Sequence, residues 1–314
     1  MAIVAREPSP ASVAVARSWP HISHRTAPSR FMWLQAGQFI SVRPLDETKR
    51  TLRSTYVPTA RREDNATGEV LTSRRGGTKL GPTQQRGSPM NDLTGTRIRQ
   101  WTASSRVECV EIRPEEALSF VPGHVVTLAA GSAKPGYFAI GSAPSEGPNL
   151  RFYLRPGGEA ADSVLAAKDG DAVRIAGPIA HGFPLEPVVG KDLVFVGVGT
   201  GVAPLRSALV EALTTRERYG RLVMVMGAAS PAALCCAEEF DSWRAAGVEL
   251  ALTVDEADAS WAGSTGFVQE LLAELDLDPG TTVAHVAGVR AMEEAVRAQF
   301  AELGFAPESV RANY

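Results

Sequence analysis

The chain has 314 residues, about two domains' worth of sequence, and its 44% hydrophobic and 21% charged composition is that of an ordinary globular protein. Its net charge of -3 hides a split: residues 1–100 hold 16 Lys and Arg against 7 Asp and Glu, a balance of +9, and residues 101–314 hold 16 against 28, a balance of −12. The acidic body argues against nucleic acid, whose phosphates need a clustered basic face; Cys109, Cys235 and Cys236 lack the number for a disulfide framework and the spacing for a metal site; and no apolar run approaches the roughly 18 residues of a membrane span.

Residues 1–30 carry Arg6, Arg17, Arg25 and Arg30, five serines and the single acid Glu7. Arg-rich, Ser-rich and acid-poor is the composition of an organelle transit peptide. The expected address is the chloroplast, with the mitochondrion as the alternative. Residues 44–100 lack sustained periodicity and read as linker or disordered. The stretch "FMWLQAGQFISVRPL" at 31–45 alternates like a strand without partner strands around it. The whole of 1–100 is therefore expected to be a basic, disordered extension.

From Trp101 short strand-like runs follow one another between Gly, Pro, Ser and Asn: "SRVECVEIRP", "GHVVTLAA", "GYFAIGSAP", "LRFYLRPGG" and "DAVRIAGPI". Such texture suggests an antiparallel barrel or sandwich over 101–188. "SVLAAKDGD" is the one helical insertion. From residue 189 strands and helices alternate four times. "DLVFVGVG" leads into "VAPLRSALVEALTTRE", "RLVMVMGA" into "SPAALCCAEEFDSWRAAG" with Ser230 as cap, "VELALTVD" into "GFVQELLAEL", and "TVAHVAGV" into "AMEEAVRAQFAELG". The pattern predicts a doubly wound parallel sheet over 189–314, and so an α/β protein of two domains.

The first strand of the second domain runs into Gly197, Gly199, Thr200 and Gly201. Glycines let the backbone turn sharply and approach a ligand. Pro204 can start the helix that follows, where its missing N–H costs nothing, and the free N–H groups and positive dipole end of that helix suit a pyrophosphate. A dinucleotide fold would place an acid near the end of the second strand. "GAASPAAL" holds neither acid nor arginine, which leaves NAD against NADP open while disfavouring a 2′-phosphate.

An antiparallel barrel followed by "GVGTGVAPLRS", a second strand ending in Gly227 and Ala228, "WAGSTGFVQELL" and "AGVRAMEEAV" resembles the ferredoxin–NADP reductase superfamily over residues 101–314. Within it the plastid "fruit protein" group of plants and algae is the nearest in character. The resemblance implies FAD on the barrel (FMN less so), NAD(P)H on the second domain, and hydride transfer between them. It matches the family's flavin strand at Ile140, Ser142 and Pro144, with Gly141 between them as a further cofactor-binding candidate, while Gly136, Phe138 and Ala139 stand where the family has arginine, tyrosine and serine. Phe138 could stack on a flavin or adenine ring, and the Ala139 N–H could serve the flavin. The second flavin element is "GGEAADSVL": Gly158 opens a helix toward a phosphate, and Asp162 or Ser163 either contributes there or caps the helix. Arg151 or Arg155 could replace the missing phosphate cation, or belong to a solvated strand face. His181 reads as a surface residue. Thr200 matches the threonine beside the reacting rings, Gly288 lies in the family's Cys-Gly-Pro motif with Ala287 in place of cysteine, and Tyr314 matches a flavin-shielding tyrosine.

Two functions stay open on these residues. One is a flavin-dependent NAD(P)H oxidoreductase with an unknown acceptor protein, its catalytic contacts made by Thr200 and Tyr314. The other is a binding module that has lost flavin and acts as a regulatory or structural nucleotide-binding protein.

Overall fold

The computed structural model describes residues 91–314. The transit peptide expected at 1–30, the strand-like run at 31–45 and the linker up to residue 90 lie outside the described residues.

Six strands form an antiparallel sheet in the order β4-β3-β6-β1-β2-β5. They are β1 (Asn91–Ser104), β2 (Val107–Pro114), β3 (Val125–Ala130), β4 (Gly136–Ala139), β5 (Leu150–Leu154) and β6 (Ala172–Ile179). The Gly141 N–H donates to the Arg151 carbonyl at 2.7 Å, so the two outer strands meet and the sheet curls into a barrel. Helix α1 (Glu159–Ala166) lies between β5 and β6. The barrel interior is filled by Val110, Ile112, Leu128, Phe152, Leu154 and Val173.

The barrel starts at Asn91, ahead of the Trp101 boundary read from the sequence. Asn91–Thr96 pair with β6, and Gly95–Ser104 pair with β2. This half-strand is rich in Thr, Arg and Gln and carries no apolar alternation, so hydropathy does not reveal it.

The second sheet is parallel, in the order β10-β9-β8-β7-β11-β12. Its elements are β7 (Asp192–Val198), α2 (Val202–Leu213), β8 (Leu222–Ala228), α3 (Phe240–Ala245), β9 (Val248–Val254), β10 (Ser264–Thr265), α4 (Val268–Leu272), β11 (Thr282–Ala287), α5 (Arg290–Glu302) and β12 (Val310–Ala312). Successive side chains of a strand face opposite ways. Phe195 and Met224 therefore pack with Leu205, Leu209 and Trp243 on one face. Val194, Val196, Val223 and Val225 pack with Leu271, Leu272, Val296 and Phe300 on the other. Each such buried side chain contributes about 1.5–3 kcal/mol. The first of these cores also holds Cys109, Tyr153 and Phe183 of the barrel, so one apolar core runs through both domains.

Two expected helices are shorter than the sequence suggests. "SPAALCCAEEFDSWRAAG" holds two three-residue 3-10 turns, Pro231–Ala233 and Ala237–Glu239, and only then α3. The break falls at Cys236, whose φ is 59°. Leu234, Cys235 and Cys236 are all buried at this break; Cys236 Sγ lies 3.1 Å from the Tyr153 hydroxyl of the barrel. Ser230 makes no side-chain cap bond. "GFVQELLAEL" is helical only over α4, and the closing strand β12 carried no signal of its own. No described helix is long and apolar enough to cross a membrane.

Candidate active site

β7 ends at Val198 and the chain makes a 3-10 turn through Gly199, Thr200 and Gly201 into α2, with Gly199 at φ 54°. A Cβ on Gly201 would collide with the Ala287 carbonyl at the end of β11. The loop therefore leans on the Ala287–Gly288 step and draws Gly197, Thr200, Gly201 and Gly288 to one place. There β7 has β8 on one side and β11 on the other, which is the switch point where open α/β sheets bind ligands. Pro204 is the third residue of α2 rather than its first; it is buried within van der Waals reach of Gly123 of the barrel. Gly227 has a packing role: a Cβ there would lie 2.6 Å from the Val268 side chain. We expect Gly201→Val to weaken binding of a nicotinamide dinucleotide about tenfold or more, roughly 1.4 kcal/mol, by pushing the loop off β11. Calorimetric titration checks this; unaltered affinity would remove the loop from the site.

The flavin-strand residues divide in two. Phe138 and Ala139 on β4 are partly exposed and can touch a ligand. Ile140, Gly141 and Ser142 are buried. Ile140 fills the barrel core, and the other two fasten α2. The Ser207 hydroxyl donates to the Ser142 carbonyl at 2.7 Å, and Arg206 Nη1 donates to the Gly141 carbonyl at 2.8 Å. Arg206 also grips Glu146 of the barrel at 2.7 and 2.8 Å and Glu239 of the second domain at 2.6 and 2.8 Å. Burial opposes the charge of this guanidinium, but the two carboxylates outweigh it and raise its pKa well above the ordinary value. Arg206 escaped the sequence reading because its carboxylate partners lie 60 and 33 residues away.

A Cβ on Gly136 would lie 2.7 Å from the Ala160 Cβ of α1, so no arginine fits at that position. The space beyond Gly157 and Gly158 is open, with Gly158 extended as the cap of α1. Asp162 accepts the Gly157 N–H at 2.8 Å and so closes this loop. Ser163 donates to the Ala160 carbonyl at 2.7 Å and accepts the Ala130 N–H at 3.0 Å, which ties α1 to β3. Neither side chain caps the helix. Of the two arginines considered for a phosphate, Arg151 is committed to Glu239 at 3.1 Å and Glu111 at 3.5 Å. Arg155 is exposed, just before Gly157, with no side-chain partner among the described residues. Open backbone, a helix N-terminus, a nearby cation and the half-buried Phe138 ring fit a flavin nucleotide.

The last residues bridge the two domains. Asn313 donates to the Gly123 carbonyl at 3.0 Å, and its own carbonyl accepts the His181 and Gly182 N–H groups at 3.2 and 3.0 Å. Tyr314 is 63% exposed, and its hydroxyl bonds the Glu293 carboxylate on α5. That carboxylate, followed by burial, raises the Tyr314 pKa. Glu293 in turn accepts from Arg297 at 3.1 Å. Glu293 gave no signal in the sequence beyond its place after Met292.

The acid missing from the second strand's end arrives from the third. The Asp255 N–H donates to the Ala228 carbonyl at 2.9 Å, and the Glu256 N–H to the Ala229 carbonyl at 3.0 Å. Both carboxylates are exposed at the exit of β8. Burial, then the neighbouring Glu256, raises the Asp255 pKa. Among the described residues no group of three His, Cys, Asp or Glu is placed to hold a metal ion.

Residues 195–298 match the oxidoreductase NAD-binding domain family. The chain is 28% identical over 199 residues to the gamma subunit of sulfhydrogenase 1 from Pyrococcus furiosus, covering 62% of this chain and 68% of that one. It is 29% identical over 171 residues to one subunit of the Na(+)-translocating NADH-quinone reductase of Shewanella denitrificans, covering 52% of this chain but only 41% of that protein. A ferredoxin NADP+ reductase from Neisseria gonorrhoeae with bound FAD and NADP shares the fold at a TM-score of 0.60 and 19% identity, over 70% of this chain and 97% of that one. An antiparallel barrel joined to a parallel sheet is the fold shared with ferredoxin–NADP reductases, and in this chain the parallel sheet carries an oxidoreductase NAD-binding domain.

Proposed function

We propose that the chain is a flavin-dependent NADH oxidoreductase that passes electrons to a separate acceptor protein. The observation that carries this is the double fastening of α2 to the flavin strand through Arg206–Gly141 and Ser207–Ser142. It fixes the helix of the dinucleotide loop against the strand that bears Phe138 and Ala139. Hydride transfer depends chiefly on two rings held close and correctly turned, and a rigid mount serves that need. Phe138 offers the barrel a face for stacking, the α1 N-terminus and Arg155 take the phosphates, and Thr200 and Gly201 border the nicotinamide. Tyr314, steadied by Glu293, covers the mouth of the site from water. A flavin bound there supplies the hydride-accepting ring.

The donor is NADH. Asp255 and Glu256 can accept from the hydroxyls of the adenosine ribose, and their charges oppose a 2′-phosphate. The double substitution Asp255→Ser with Glu256→Arg should shift the kcat/KM ratio toward NADPH by about tenfold or more, on the order of 1.4 kcal/mol. An unchanged ratio in steady-state assays would remove these residues from donor choice. Both curated relatives are named as subunits, which supports an acceptor housed on another protein. The plastid address rests on the composition of residues 1–30, and import of the full chain into isolated chloroplasts tests it.

Gly136 closed against Ala160, Ala139 without a hydroxyl and Ala287 without a thiol favour the second reading, a nucleotide-binding module. Reconstitution with FAD, followed by NADH-driven reduction of a soluble electron acceptor, separates the two. Turnover supports the oxidoreductase, and an inert protein that binds only nucleotide supports the module.

A further inference from the structure

The tip of the β1–β2 hairpin crosses from the barrel to the second domain. The Ser105 N–H donates to the Ala232 carbonyl at 2.8 Å, in the turn that follows the exit of β8. Beneath it Ser104 Oγ lies 3.7 Å from Cys235 Sγ. The same exit is bonded through Ala228 and Ala229 to Asp255 and Glu256. Hairpin tip, β8 exit and β9 exit thus form one edge, at the end of the loop site remote from Gly288. Arg106 occupies the tip. It is exposed, and its guanidinium has no hydrogen-bond or ion-pair partner among the described residues. Its charge is felt by Asp255, whose carboxyl it helps keep ionised against burial and Glu256.

A long, uncommitted cation held by its backbone beside two exposed carboxylates calls for a ligand that engages both signs. The adenosine end of a dinucleotide does so: its ribose hydroxyls donate to carboxylates, and its phosphate accepts from a guanidinium. We propose that Arg106 is a dinucleotide-positioning residue that reaches from the barrel to the ADP-ribose half of NADH. The barrel then contacts both nucleotides, with β4 at the flavin and the β1–β2 tip at the adenosine end of the donor. This rests on the dinucleotide reading above.

ADP-ribose is the probe, because it lacks the nicotinamide and reports binding without turnover. Titrated calorimetrically into the full chain, Arg106→Ala should raise its Kd about five- to tenfold, and Arg106→Lys should fall between. In assays with NADH, KM should rise in parallel while kcat stays within about twofold. The hairpin is anchored by the Ser105 backbone, so the fold should survive the change, and the urea midpoint checks this. Wild-type binding of ADP-ribose with an unmoved Kd in Arg106→Ala would overturn the inference and leave the oxidoreductase reading standing. A fall in kcat with KM unmoved would overturn it too. A wild-type protein that binds neither ADP-ribose nor NADH would overturn both.

Discussion

Replacing Arg206 by methionine should lower the unfolding free energy by about 3–5 kcal/mol, the cost of stranding buried charges by removing their partner. Arg206 is 2% exposed and carries five hydrogen bonds to two carboxylates and one carbonyl. Methionine keeps the volume and removes the fork. Glu146 and Glu239 would then share Arg151, which already serves Glu111. Lysine should not rescue, because a point charge cannot hold two carboxylates bidentately. Neutralising all three groups at once, as Arg206→Met with Glu146→Gln and Glu239→Gln, should recover most of the loss. Urea denaturation reads each variant. A loss under about 1 kcal/mol in the single variant would mean that the cluster is not what joins the domains.

Stability should also fall as the solution is acidified from about pH 6.5, before the carboxylates titrate. His285 on β11 is fully buried between the Phe183 and Phe195 rings, with centroids at 4.8 and 5.3 Å. Neither of its ring nitrogens has a hydrogen-bond partner among the described residues. Burial, aided by the charge of Arg311 on the adjacent strand, pushes its pKa down to about 3. The unfolded chain binds this proton below about 6.5 and the folded chain only below about 3. Between those values the unfolded state holds more protons, so stability drops with falling pH, by up to roughly 5 kcal/mol at the acid end. His124, lowered by burial and by His181, adds a slope of the same sign. His285→Leu removes only its own share. It should flatten the profile between about pH 6.5 and 4.5, and gain about 1–3 kcal/mol near pH 7 by deleting two unpartnered buried nitrogens. Thermal unfolding across that range is the check; a variant with the wild-type slope would place the acid sensitivity elsewhere.

The sequence carried the parallel domain well because its signals are local. Buried strands of Val and Phe, the three glycines at 197, 199 and 201, and the amphipathic α2 and α5 each announce themselves within a dozen residues. What it did not carry was assembled at a distance. The first ten residues of β1 are mostly polar, and they are a strand because β6 and β2 lie on either side. The Cys235–Cys236 step reads as mid-helix, yet it is bent inward to meet Tyr153. Asp255 and Glu256 follow the third strand in the chain and reach the second strand's exit only through parallel pairing. The flavin motif was legible as a pattern but not as a division of labour. Ile140 and Ser142 match the family and are buried, whereas Phe138 and Ala139 depart from it and are partly exposed.

Whether the barrel holds a flavin that NADH can reduce decides between enzyme and binding module. The most direct measurement is the visible absorbance of the full chain, reconstituted with FAD, desalted, and titrated anaerobically with NADH and then NADPH. The proposed function predicts retained flavin bands that bleach with NADH and respond weakly to NADPH. A colourless protein after desalting, or bands that persist with both donors, would contradict it.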